Sequence, residues 1–140
     1  MDNAVYALVS INRSFPGKFL ETIFELVVNH FPMRVDFYEE DSVISFFEFV
    51  MKTNSRLFLQ GADRIVRGYG QRLAVQEFSQ EVENLMKGHI QFIQNQNPME
   101  FGNLLNSLPI EERQEISNLL QNCCVCWISQ FLLISVLLVP

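Results

Sequence analysis

SVISFFEFVMKTNSRLFLQGADRIVRGYGQRL, residues 42–73, decides the fold class. Its first half places Val43, Phe46, Phe47 and Val50 at three- and four-residue intervals, the spacing of one helix face. Thr53-Asn54-Ser55 is a polar join. The second half repeats the pattern with Phe58, Ala62, Ile65 and Val66 turned inward, and Gly68 and Gly70 loosen its end. Two amphipathic helices joined by a short turn form an antiparallel pair.

The same grammar extends in both directions. Upstream, Asp2 precedes a short helix carrying Val5, Leu8, Val9 and Ile11, and Phe15-Pro16-Gly17 breaks it. KFLETIFELVVNHF, residues 18–31, sets Phe19, Ile23, Leu26, Val27 and His30 on one stripe until Pro32 ends the helix. Downstream, a helix over 76–94 carries Phe78, Val82, Leu85, His89 and Phe92, and Asn95-Gln96-Asn97-Pro98 stops it. MEFGNLLNSL is a short helix. Pro109 opens the last one, with Glu111 and Glu112 in its first turn, where the helix dipole favours acids. No segment alternates with period two long enough to be a strand, so the fold class is all-α. Alternate helices start near residues 2, 40 and 76, close to the period of HEAT-type repeats. Stacked pairs of this kind form a short α-solenoid, whereas a compact bundle would need loops that carry the chain back across itself.

Composition narrows the function. The 140 residues are 49% hydrophobic and 19% charged, which excludes a disordered chain. A net charge of −6 and a pI near 4.8 argue against nucleic-acid binding through a basic footprint and favour a basic or neutral partner. The three cysteines, Cys123, Cys124 and Cys126, make neither a disulfide framework nor a zinc pattern. The first residues, MDNAVYALVSINRS, lack the positive region of a secretory signal.

Charge stops at Glu115. From Cys123 to Val139, CCVCWISQFLLISVLLV is uncharged. Seventeen residues is the lower edge of a membrane-spanning helix. The segment is expected to be either a C-terminal membrane anchor, with Cys123 and Cys124 palmitoylated, or a foreign, aggregation-prone end. The absence of a flanking Lys or Arg removes the charge signal that orients anchors. The chain therefore divides into helical repeats over 1–121 and a hydrophobic tail over 122–140.

Three stretches carry a family resemblance. DNAVYALVSI, residues 2–11, resembles the DNA-x-x-AL-x-x-I helix of importin-beta (karyopherin) receptors. PGKFLETIFELVVNHFPMRVDFYEEDSVISFFEFV, residues 16–50, looks like that family's next repeat, with a Leu/Met-Pro-type turn carrying basic and acidic residues between an outer and an acidic inner helix. IQNQNPMEFGNLLNSLPIEERQEISNLL, residues 93–120, is similar to the closing helices of the importin-four and importin-five branch. The resemblance covers 2–121. It implies a C-terminal piece of a nuclear transport receptor in cytoplasm and nucleus, binding basic protein cargo such as nuclear localisation signals, histones or ribosomal proteins, with nucleoporin Phe-Gly repeats as a further partner. The match begins mid-repeat, and the repeats that contact Ran-GTP have no counterpart, so Ran binding is not expected.

In that family the second helix of each pair lines the concave wall. With 2–11, 39–53, 76–94 and 109–121 as the inner set, eleven of the sixteen acids fall on it against Lys52, Lys87 and Arg113. The candidate cargo contacts are Glu40, Asp41, Glu48, Glu77, Glu81, Glu112 and Glu115, a wall that would attract basic segments. A competing explanation is local. Asp2, Glu39, Glu40, Asp41, Glu77, Glu111 and Glu112 sit in or just before first turns, where an acid stabilises a helix by about 0.3–1 kcal/mol.

No enzyme is expected. His30 and His89, the only histidines, lie on apolar helix sides, where a satisfied core residue is commoner than a general base. Ser-His-Asp order, HExxH, a Walker loop and GxGxxG are missing. Gly61, Gly68 and Gly70 follow no strand, and Glu81 and Glu83, two apart, point to different sides. No catalytic residue, metal site or cofactor is assigned.

Overall fold

The computed structural model describes residues 2–33 and 40–122. The expected anchor or foreign end at 123–139, and the acid Glu39, lie outside the described residues. Among those described, eight helices and no strand are present: α1 (Asp2–Ser14), α2 (Leu20–His30), α3 (Glu40–Thr53), α4 (Ser55–Gln60), α5 (Ala62–Leu73), α6 (Gln80–Gln96), α7 (Pro98–Ser107) and α8 (Ile110–Gln121). The fold is all-α.

Local chemistry sets most of the boundaries. The Asn54 side chain caps α4 by accepting from the Leu57 amide at 3.1 Å. Ser79 caps α6 through the Val82 amide, and Asn97 caps α7 ahead of Pro98, whose missing N–H falls where no helical partner exists. α6 thus starts four residues later than the expected 76, because Ser79 supplies the first cap. Between α1 and α2 the chain turns at Gly17, which has φ +80°, and the Gly17 amide donates to the buried Asn12 side chain at 3.3 Å.

The expected single helix over 56–73 is broken at Gly61. A Cβ there would lie 2.7 Å from Phe24 Cζ, so the chain passes α2 at backbone distance and bends into α5. The stripe on α2 is also displaced by one position. Leu20, Ile23, Phe24, Val27 and Val28 are buried, while Phe19 and Leu26 are exposed and half-buried His30 hydrogen-bonds the Leu26 carbonyl through Nδ1. Phe19 lies just ahead of the helix, its ring 5.4 Å from the Lys18 ammonium.

Contacts run between chain neighbours and between alternate helices. α1 packs on α2, α3 on α4, and α6 on α7; α1, α3, α6 and α8 touch in succession, and α2 lies against α5. The most extensive helix–helix contact among the described residues joins α5 to α8. Gly70 makes it possible, since its Cβ position is only 3.1 Å from Glu112 Cβ and 3.3 Å from Ile116 Cδ1. One continuous core results. Phe31 stands edge-on to Phe47 at 5.2 Å and to Tyr69 at 5.7 Å, and Phe24 meets Phe47 at 6.1 Å.

Candidate functional site

α3 meets α5 and α6 at one buried polar cluster and α5 alone at a second, both assembled from residues far apart in the chain. In the first, Tyr69 on α5 and His89 on α6 are fully buried, and the tyrosine hydroxyl lies 2.6 Å from His89 Nδ1. His89 Nε2 is 2.7 Å from Glu48 Oε2 on α3. Glu48 Oε1 takes Lys52 Nζ at 2.9 Å, one helical turn further along. The series ends in water, for the Lys52 side chain is 71% exposed. Rings close the sides: Phe58 on α4 lies 5.4 Å from the imidazole, and the Tyr69 ring stacks on it at 6.0 Å.

The electrostatics follow from the geometry. Burial pushes the His89 imidazole below its ordinary 6.5, against the opposing pull of Glu48, so the ring is neutral at pH 7. Burial raises the Glu48 carboxyl, but hydrogen bonds from Lys52 and His89 outweigh it and hold the group below 4.5. Because His89 is neutral, it lends Glu48 a hydrogen bond; the positive charge at Glu48 is that of Lys52. Burial and then the Glu48 charge drive the Tyr69 phenol well above 10.

The second cluster is an ion pair. Glu40 opens α3 yet is fully buried, and Arg72 Nε, on α5, is 2.9 Å from each of its carboxylate oxygens. Arg72 also donates to Gln76, and the Met33 backbone hydrogen-bonds the carboxylate. Burial raises the Glu40 carboxyl above 4.5 in spite of Arg72.

These clusters redistribute the seven candidate cargo contacts. Glu40 does not face solvent; its charge is spent within the core, which corrects its assignment to a binding wall. Glu48 is half-buried and already holds two donors. Asp41, Glu77 and Glu81 are exposed, and Glu112 and Glu115 are partly so, with Glu112 backed against Gly70 of α5. Arg72 on α5 is the Glu40 partner. The only advance sign of the first cluster was His89 on an apolar stripe. Nothing local marked Glu40, whose partner is 32 residues away.

Two surface grooves flank the core. One, of about 670 Å³, runs between α4–α5 and α6–α7, where Arg67 bridges Asp63 and Ser107 at 2.9 Å each. The other, of about 650 Å³, lies between α2 and α4–α5 and is lined by Glu21, Glu25, Asp63, Arg56 and Arg64. Among the described residues no group of three or more His, Cys, Asp or Glu is placed to hold a metal ion, and no helix is long and apolar enough to cross a membrane.

The chain matches no protein-family model, and neither a curated protein nor a solved structure is significantly similar to it.

Proposed function

We propose that the chain is a binding module, a short stack of HEAT-type helix pairs of the importin type, that takes basic protein segments. One observation carries the reading: the helices touch in the order of a layered stack, pair by pair and then α1 to α3 to α6 to α8. The extensive α5–α8 contact fits a stack that is closed at that end by its last helix. The surface acids Asp41, Glu77, Glu81, Glu112 and Glu115 supply attraction for Lys- and Arg-rich partners. Glu40 and Glu48 serve the interior instead.

The test is binding of a fluorescent Lys/Arg-rich peptide to the full chain at low and high salt. Attraction between exposed charges is screened beyond a Debye length of about 8 Å at physiological ionic strength, so affinity should fall as salt rises. The double substitution Glu77→Lys with Glu81→Lys should weaken it further. Binding that ignores salt, or no binding, removes the proposal.

A second reading, a helical domain tethered to a membrane, is favoured by the seventeen uncharged residues 123–139. Alkaline carbonate extraction separates the two, since an integral protein stays in the pellet and a transport-type module is released.

A further inference from the structure

We propose that His89 is a proton-operated clasp: with one proton it ties α5 to α3 through α6, and a second proton weakens the α5 side. The argument begins with donors and acceptors. An ionised Glu48 can only accept, so the neutral imidazole must carry its proton on Nε2. Nδ1 is then an acceptor, and the Tyr69 hydroxyl donates to it. Every bond in the series points toward Glu48, from Tyr69 to His89, from His89 to Glu48 and from Lys52 to Glu48.

A proton added at Nδ1 upsets one bond and spares the other. The Nε2–Glu48 bond persists and gains charge. On the opposite side two donors now face each other. Tyr69 can accept from Nδ1 only by turning its own hydrogen away, and its side chain has no other hydrogen-bond partner among the described residues. That ring is fully buried, so the displaced hydrogen finds no acceptor among the described residues. α6 therefore keeps its tie to α3, while its tie to α5 survives only in reversed form, at the cost of an unsatisfied Tyr69 hydroxyl hydrogen.

Among the described residues, the charges around His89 come from one helix. α3 contributes Glu48, which favours the second proton, and Lys52, which opposes it. α5 contributes Tyr69 and α4 the neutral Phe58. α7 and α8 also pack on α6 but add no charge that acts on the imidazole. Burial outweighs Glu48, so the folded ring takes the second proton less readily than an open one. The consequence has a sign. The clasp is closed above pH 6.5, and the opened form gains as pH falls from 6.5 toward the lower folded value. Each unit of that difference makes the opened form about tenfold more populated once both values are passed.

Nitrogen NMR of the uniformly labelled full chain tests the first half without any substitution. The His89 ring should show the Nε2–H tautomer at pH 7.5 and titrate below 6.5, with His30 giving the second, separate signal. The opposite tautomer, or titration at or above 6.5, overturns the proposal. Hydrogen exchange tests the second half. Between pH 7.5 and 5.5, after correction for intrinsic exchange, amides of α5 and α6 should lose protection relative to those of α1 and α2. In Glu48→Gln the imidazolium lacks its counter-charge, so the His89 titration should move to still lower pH. Uniform behaviour of all helices, or an unmoved titration in Glu48→Gln, refutes the clasp.

Discussion

Substituting Gly68 by Ala sets two energies against each other. Gly68 lies inside α5, and a helix-interior Gly→Ala change gains about 0.5–1 kcal/mol in an open environment. Here the new methyl would sit 2.2 Å from Cε1 and 2.4 Å from Cδ1 of Phe31. Contacts that short require the ring to move by more than 1 Å to reach an ordinary carbon–carbon separation of about 3.5 Å. The ring is not free to move, because it is buried and held edge-on between Phe47 and Tyr69. Overpacking of a filled core costs about 1–3 kcal/mol, and the shortness of these contacts argues for the upper end. After the helix gain, the net loss should be about 2 kcal/mol. Gly88, inside α6, is the control, since a Cβ there meets nothing within 4 Å. Gly88→Ala should therefore stabilise by about 0.5–1 kcal/mol. Urea unfolding followed by far-ultraviolet circular dichroism measures both. Adding Phe31→Leu should cost less in the Gly68→Ala background than in the parent, a coupling between neighbours. If Gly68→Ala is as stable as the parent, the close approach of α5 to Phe31 is wrong.

Three other substitutions probe the clusters and caps. Arg72→Met should cost about 3–5 kcal/mol at neutral pH, because it leaves the Glu40 carboxylate buried without its counter-charge. Glu40 already lies above 4.5, so ionising it costs stability as pH rises; the deficit of Arg72→Met against the parent should shrink on acidification, as read from urea midpoints at two pH values. Asn54→Ala and Asn97→Ala each remove a side chain that accepts from a helix N-terminus and should each lower stability by about 1 kcal/mol, measurable in the same assay. An unchanged midpoint in either would mean that water caps that helix equally well.

The second cluster explains why a strongly acidic first turn on α3 does not make a uniform acidic wall. Glu40 and Asp41 are adjacent in the chain, yet one is buried against Arg72 and the other faces water. Adjacent residues on a helix are about 100° apart, so packing on one side separates them. The same argument applies to Glu48, whose position over His89 gives it a structural task. Charge counted helix by helix therefore overstates what a partner would meet.

α6 illustrates the limit of a single-stripe reading. Phe78, Leu85 and Phe92 are only partly buried, while Met86, Ile90 and Ile93 join Val82 and His89 in the core. A helix packed by α3, α5, α7 and α8 buries more than one face, and a stripe chosen on the 4-3-4-3 rule captures only part of it.

Local signals were enough for the helical class, for most helix positions, for the breaks at Pro16-Gly17 and Pro98, and for a buried His89, because spacing, proline and capping act within one or two turns. The bend at Gly61, the face of α2, the docking of α8 on Gly70 and the Glu40–Arg72 and Tyr69–His89–Glu48 contacts belong to the tertiary structure. Each pairs residues 20 or more positions apart, or needs a backbone approach that only a neighbouring helix imposes. A glycine reads the same in sequence whether it loosens a helix or admits one, and a carboxylate reads the same whether it meets a partner protein or an arginine of its own core.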